Sequence, residues 1–297
     1  MKIAVIGMGR VGAEVHGGLL PNKWKPDWAC EVQPCPEGYD PVLLQGCDAA
    51  VICTPFSAIV TEAKKAFQAN VRAIFSCTED WKVGSWLKKR FAECYLPIHV
   101  EPHCGLAPGW VGDMARRIMR SFDTVDSVDL YAGALTESAD NDYLYWPTWN
   151  VDGLIRELTE PCRIKVRGVI TEVPAQTGYR VVCLDGQRYE AFYTAGGAGE
   201  FLEEPTVPNI SYRSLRPCGH LDALRTFGVE GLRALPQYTG QEKVLAAVTV
   251  KGWVGGEAQS LTEVWWFSSV AAATANHLVS RVEAWAQKEA RREDRTG

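Results

Sequence analysis

Short continuous apolar runs take turns with stretches of helical spacing through the first hundred residues, the alternation that a parallel sheet with covering helices produces. Lys2-Ile3-Ala4-Val5-Ile6 reads as a buried strand, Val11 to Leu20 as a helix, and Trp28-Ala29-Cys30-Glu31-Val32 as a second strand. The run Cys47 to Cys53, stopped by Pro55, is a third strand. A helix from about Ala58 to Ala69 leads to the strand Val71 to Ser76, and one from Val83 to Glu93 leads to the strand Pro97 to Val100. Beyond about Ser121 the pattern turns to strands and turns. Arg163 to Val173 and Tyr179 to Tyr193 read as hairpins, the second turning at Asp185-Gly186. A long helix, Ser268 to about Arg291, closes the chain with Val270, Thr274, Leu278, Val282 and Trp285 on one face, and the mixed charges that follow read as a solvated end.

The first apolar run opens directly into Gly7-Met8-Gly9-Arg10-Val11-Gly12. After a strand and before a helix, this spacing has a physical reading. Gly7 permits the tight turn, Gly9 lets backbone approach a pyrophosphate, and Gly12 lets the helix pack close to the strand, with the N–H groups around Arg10 and Val11 facing the anion. The implied cofactor is NAD or NADP. Glu31, at about the right distance from Gly12, either holds the adenosine ribose, which tilts the choice to NAD, or is a solvated residue at a strand end. Arg10 beside a phosphate would tilt it toward NADP. Thr54 and Pro55, ending the third strand, belong to the same cofactor edge. The expected fold class is therefore α/β: a Rossmann-type nucleotide-binding domain over residues 1–120, followed by a strand-rich α+β domain over 121–267. The interval between Val32 and Ala49 is too short for one helix and strand of a complete nucleotide fold.

Composition narrows the classes. The 297 residues, 46% hydrophobic, are enough for one large or two medium cores. A formal net charge of −5 argues against nucleic-acid binding through a general positive field. Neither a membrane span nor a signal peptide is apparent, so the expected location is the cytoplasm. Ten cysteines occur without CxxC or zinc-finger spacing and read as reduced, mostly packing residues, and no metal is expected.

Four stretches carry chemistry-bearing residues. His103-Cys104-Gly105-Leu106-Ala107-Pro108-Gly109 follows a strand end, where an open sheet places its ligands. His103 there is a candidate proton carrier and Cys104 a candidate thiol beside the nicotinamide; the alternative is that the first caps a carbonyl and the second packs. Thr136 to Asn150 mixes carboxylates and aromatics that could meet a cationic amine, or forms an ordinary acidic loop anchored by its tryptophans. Asn150 to Leu158 is a capped amphipathic helix on which Glu157 reads as surface. Ser211-Tyr212-Arg213-Ser214-Leu215-Arg216-Pro217-Cys218-Gly219-His220 offers two planar donors for a substrate carboxylate, Arg213 and Arg216, with His220 as a further proton carrier.

Taken in order, Gly7 to Gly12, Cys104 to Gly109, Trp149 to Glu157, Glu190-Ala191-Phe192 and Arg213 to His220 resemble the motifs of the saccharopine dehydrogenase and lysine 6-dehydrogenase family over nearly the whole chain. That resemblance implies NAD(P)-linked oxidation of a carbon–nitrogen bond in an amino acid, or reduction of the corresponding imine, with Arg216 ahead of Arg213 on the substrate carboxylate, His103 or His220 moving the proton, and Trp149 and Asn150 as the pocket wall. It also implies that residues 268–297 return to the nucleotide domain and that the middle domain serves substrate binding and a homodimer or higher homo-oligomer. The acidic loop from Glu137 to Asp142 is foreign to the family pattern.

Two other readings compete. Sugar-oxidising dehydrogenases of the same two-domain plan carry a lysine between a glutamate and a proline, but here Glu101 and Pro102 are adjacent. A catalytically inactive nucleotide-binding sensor or scaffold is the second.

Overall fold

The computed structural model of the chain describes residues 1–20, 30–93, 98–136 and 139–296. Trp28, Ala29, Pro97, Glu137 and Ser138, all named above, lie outside the described residues. The chain divides into two units, residues 1–105 with 271–297, and residues 106–270.

The first unit is a five-stranded parallel sheet of β1 (Lys2–Ile6), β2 (Glu31–Cys35), β3 (Ala49–Ile52), β4 (Ala73–Ser76) and β5 (His99–Glu101), in the order β2-β1-β3-β4-β5. The helices are α1 (Arg10–Leu19), α2 (Phe56–Gln68), α3 (Trp81–Ala92) and, at the end of the chain, a fourth at Val270–Thr296. β1, β3 and β4 are buried on both faces, which is why they read as unbroken apolar runs. One face carries Val15, Leu19, Leu278, Val282 and Trp285 from the first and last helices; the other carries Ile59, Ala63, Leu87 and Phe91 from α2 and α3. The strand order is what a 3-2-1-4-5-6 nucleotide fold leaves when its outermost strand is missing. In the short interval after β2 there is only a single turn of 3-10 helix at Pro41–Leu44, capped by Asp40.

The second strand sits later than the hydrophobic pattern predicts. β2 contains Pro34, which argues against a strand in sequence, but β2 is the edge of the sheet and its proline needs no partner on the outer side.

The second unit contains α4 (Trp110–Met119), β6 (Thr124–Thr136), α5 (Val151–Thr159), β7 (Cys162–Val166), β8 (Val169–Val173), β9 (Arg180–Leu184), β10 (Gln187–Tyr193), β11 (Ile210–Arg216), α6 (His220–Phe227), β12 (Glu242–Val254) and β13 (Glu257–Phe267). The final helix of the first unit is α7 (Val270–Thr296). The sheet runs β13-β12-β6-β11-β10-β9, with β7 and β8 attached at β11. α4 packs on β6 and β12, so residues 106–120 belong with this unit rather than with the nucleotide sheet, as sequence places them. The Asp185-Gly186 turn takes the predicted form, with two positive φ angles, and Arg167-Gly168 in the other predicted hairpin does the same.

The sheet's two faces differ in what fills them. One is covered by α5 and α6, whose Leu154, Leu158, Leu221 and Leu224 pack around Phe192 and Tyr145. On the other, Tyr131, Tyr189, Ala191, Leu215, Leu245 and Ala247 cluster without a helix residue. The sheet closes over that cluster by curling: Trp266 on the edge strand β13 donates its Nε1–H to Asp185, in the turn next to the opposite edge, at 2.6 Å.

Candidate functional site

In the first unit, the C-terminal end of β1 turns at Gly7, whose φ is +88°. A Cβ on Gly12 would lie 1.8 Å from the Gly7 carbonyl oxygen, so only glycine permits this approach of α1 to the turn. Gly9 is the opposite case, since a Cβ there would meet nothing within 4 Å. α1 begins at Arg10 with no side-chain cap and no acidic residue in its first turn, leaving the N–H groups of Arg10, Val11 and Gly12 at a positive helix end. Beside the loop, Thr54 lies against Gly7, and its hydroxyl is buried without a hydrogen-bond partner; Pro55 starts α2. An open backbone cradle, an uncapped helix start and an orphaned hydroxyl together fit a pyrophosphate.

Glu31 does not belong to this site. It begins β2, opposite Lys2, with which it pairs at 3.3 Å, so it stands roughly 13 Å of strand away from the glycine turn. Cys35 ends β2 and accepts the Gly7 N–H at 2.9 Å, so the acidic residue beyond this end is Glu37, exposed two residues later. Sequence spacing missed it because the strand was placed three residues early.

His103 and Cys104 follow β5 at the same end of the sheet but are committed to packing. The His103 Nδ1–H donates to the Thr78 carbonyl at 2.8 Å, and its other edge lies over Gly84 of α3, where a Cβ would come within 2.3 Å of Nε2. Cys104 is 2% exposed in the apolar core, and its thiol donates to the Glu101 carbonyl at 3.3 Å. Neither is offered as a proton carrier or nucleophile. Cys53 and Cys77 directly follow β3 and β4, and burial pushes both thiols up, Cys77 to about 12. Near them an ionic cluster went unread in the sequence: Glu101 accepts from His99 Nε2 and Arg281 Nε, both at 2.6 Å. Burial alone would raise the Glu101 carboxyl, but these two partners hold it at about 2.

In the second unit, the stretch read as a two-arginine clamp is strand β11, and successive side chains alternate faces. Arg213 and Arg216, three apart, therefore point oppositely. Arg213 lies on the curled, helix-free face and is used up there: Nη1 bonds Asp129 at 2.9 Å and Ser211 at 2.6 Å, Nε bonds the Gly178 carbonyl at 2.9 Å, and Nη2 bonds Tyr193 at 2.7 Å. It is a structural tie, not a substrate donor.

Arg216 faces α5 and α6. Its guanidinium is 3.7 Å from Glu157, bonds the Leu215 carbonyl through Nη1 at 2.9 Å, and stands 4.9 Å from the Tyr145 ring centroid. Its Nε–H is buried without a partner. Glu157, read as surface, is instead the hub of the cluster, accepting from Thr194 at 2.9 Å and from Ser214. Its position one helical turn after Leu154, on the buried face of α5, was the available signal. Glu190, buried on β10, accepts the Gly219 and Leu221 N–H groups and so caps α6.

His220 is fully buried at the first position of α6. Its Nδ1 lies 2.7 Å from the Tyr143 carbonyl, which can only accept, so the proton is on Nδ1 and Nε2 is a bare acceptor, also without a partner. Burial and the Arg216 charge lower its pKa to about 3 against the opposing pull of the Tyr143 bond. It is neutral at physiological pH and is not the proton carrier that sequence suggests. Asn150 caps α5 by accepting the Gly153 N–H at 2.9 Å, and the Trp149 ring lies on Gly153, where a Cβ would be 2.5 Å away. Both positions are taken up by building the helix start. Among the described residues no group of three or more His, Cys, Asp or Glu could hold a metal, and no helix is long and apolar enough to cross a membrane.

The glycine turn at the strand ends and the sheet order define a Rossmann-type nucleotide-binding unit joined to a strand-rich one. No family profile matches the sequence. The fold is similar to that of saccharopine dehydrogenase (L-Glu forming) from Saccharomyces cerevisiae, with a TM-score of 0.67 and 12% identity over 95% of this chain and 90% of that one. Homospermidine synthase from Legionella pneumophila, solved in complex with NAD, is also similar, with a TM-score of 0.58 and 11% identity over 97% of this chain and 84% of the other. At these identities the likeness is one of fold.

Proposed function

We propose that the chain is an NAD(P)-dependent oxidoreductase acting on a carbon–nitrogen bond of an amino acid or amine. The observation that carries this reading is the glycine turn, with its open Gly9 and its unpartnered Thr54 hydroxyl at an uncapped helix start. Gly7, Gly9, the α1 N–H groups and Thr54 would hold the pyrophosphate, with Glu37 toward the adenosine ribose. When bound, the nicotinamide supplies or accepts the hydride, while the protein orients the partners and excludes water. The substrate carboxylate falls to Arg216, a buried guanidinium whose ion pair with Glu157 is long, at 3.7 Å, and whose Nε–H has no partner. The saccharopine dehydrogenase fold and the motif order in the sequence support the amine chemistry over that of alcohols.

Titration with NADH and NADPH, followed by tryptophan fluorescence, tests the first half. A panel of amino acids and of keto acid plus amine pairs, read at the nicotinamide band, tests the second. Binding of neither nucleotide would make the glycine loop purely structural and overturn the proposal. We also propose that the chain works as a homo-oligomer, supported by the unpaired outer edge of β13; sedimentation as a monomer at micromolar concentration would refute this.

A further inference from the structure

Among the buried polar atoms of the second unit that lack hydrogen-bond partners, three gather around Tyr145: Arg216 Nε–H is a donor, His220 Nε2 an acceptor, and the Tyr145 hydroxyl can be either. Arg216 and His220 are 3% and 0% exposed. They flank the Tyr145 ring, whose centroid is 4.9 Å from the guanidinium and 5.0 Å from the imidazole. Leaving a buried donor or acceptor unsatisfied is costly, and native structures seldom keep one without a use for it. Keeping a donor and an acceptor of this kind around one ring points to something outside the chain that satisfies them.

We propose that Arg216 and His220 form a split reader for an amino-acid head group, Arg216 Nε–H taking a carboxylate oxygen and His220 Nε2 taking an N–H of the adjacent amino group. The proposal rests on the reading of the second unit as the one that holds the substrate.

The neighbouring groups fit this division. Both oxygens of Glu190 are occupied by backbone N–H groups of α6, and Glu157 Oε1 is occupied by Thr194 and Ser214. The closest carboxylate oxygen to Arg216 is therefore 3.7 Å away, and a closer anion finds an under-neutralised guanidinium. The Tyr143 carbonyl fixes the His220 tautomer, and its low pKa keeps Nε2 an acceptor at neutral pH, so this ring selects a donor and repels a second acceptor. His220 is then a specificity residue that moves no proton. A single trapped water would satisfy the same two atoms without any selectivity.

Calorimetric titration of the full chain separates these cases. Two probe series are used: L-lysine, 6-aminohexanoate and 1,5-diaminopentane; and L-glutamate, glutarate and 4-aminobutyrate. In each series the second compound lacks the α-amino group and the third the α-carboxylate. In at least one series the amino acid is expected to bind about ten-fold or more tighter than either truncated compound. His220→Phe should erase the preference over the deaminated compound and keep the preference over the decarboxylated one, and Arg216→Met should do the converse. His220→Gln, which restores an acceptor, should recover the first preference and covers the case in which the phenylalanine variant does not fold. Equal binding of all three compounds, binding of none, or a variant retaining both preferences would overturn the proposal. Nicotinamide absorbance on the same samples reads the redox function separately. Turnover without head-group selectivity defeats the reader alone; selectivity without turnover defeats the oxidoreductase reading alone.

Discussion

Arg213 and Arg216 leave β11 on opposite faces of the sheet, the first into a saturated network with Asp129, the second into a cluster where its Nε–H has no partner. The two arginines therefore have separable consequences. Arg213→Ala takes one partner from the half-buried Asp129 carboxylate, which burial would raise but which Ser211, Arg180 and Arg213 together hold low. Arg180 remains as a partner, at 3.0 Å, so the loss should fall at or below the lower end of the roughly 3–5 kcal/mol expected for breaking a buried pair. Urea unfolding measures it. Arg213→Met combined with Asp129→Asn should recover part of the loss, and an Arg213 variant as stable as wild type would show that the network adds nothing.

How Arg213 was misread as half of a clamp shows what the sequence could carry. β1, β3 and β4 were legible because a parallel strand buried on both faces is one uninterrupted apolar run, and Asp185-Gly186 was legible because a type I′ turn needs two residues that accept positive φ. β11 is also buried on both faces, but most of its residues, Ile-Ser-Tyr-Arg-Ser-Leu-Arg, are polar, and Arg213 and Ser214 find partners distant in sequence. With neither alternation nor an apolar run, only the Pro217 and Gly219 that follow could be seen, and these suggest a turn. Asp129 and the buried role of Glu157 were hidden for the same reason, since the groups that make each carboxylate tolerable in the interior lie on other strands and helices.

The two glycines of the nucleotide turn should respond differently to the same methyl group. Gly12→Ala forces a carbon against the Gly7 carbonyl and should lower stability by about 1–3 kcal/mol, visible as a drop in Tm, with nucleotide affinity falling alongside. Gly9→Ala has an ordinary φ of −72° and open space, so stability should stay within about 0.5 kcal/mol. Its NAD(H) affinity should nevertheless fall ten-fold or more, because the added carbon occupies the approach of the pyrophosphate. Unchanged affinity in Gly9→Ala would place the nucleotide elsewhere.

Cofactor choice should follow Glu37 and ignore Glu31. Glu37→Arg removes a carboxylate that would repel a 2′-phosphate and adds a cation that would attract one, so the NADPH to NADH affinity ratio should rise by ten-fold or more. Glu31→Gln breaks only a solvent-exposed pair with Lys2 at the far end of the strand and should leave both affinities and, within about 1 kcal/mol, stability unchanged. Competitive titration of the two nucleotides reads both variants. A change of preference in the Glu31 variant alone would contradict the strand placement.

His220 should make the protein sensitive to mild acid in a window that no carboxylate explains. In the folded chain its pKa is depressed to about 3, while the unfolded chain has the ordinary value of 6.5. Between these values the unfolded state binds a proton that the folded state refuses, so stability is whole above pH 6.5 and declines as pH falls through this window, by up to about 1.4 kcal/mol per pH unit. Glu101, held at about 2 by His99 and Arg281, adds its own loss only below its ordinary carboxylate value near 4.5. Above pH 4.5 the His220 loss is opposed, among the described residues, only by Glu190, whose carboxyl burial raises and which therefore favours the folded state as pH falls, so the difference between wild type and a His220 variant isolates the imidazole. Urea unfolding between pH 6.5 and 4.5 should show a slope in wild type that His220→Phe flattens, whatever that variant does to stability at pH 7. An equal slope in both proteins would mean that the imidazole takes up its proton in the folded state, and the neutral acceptor beside Arg216 would be lost with it.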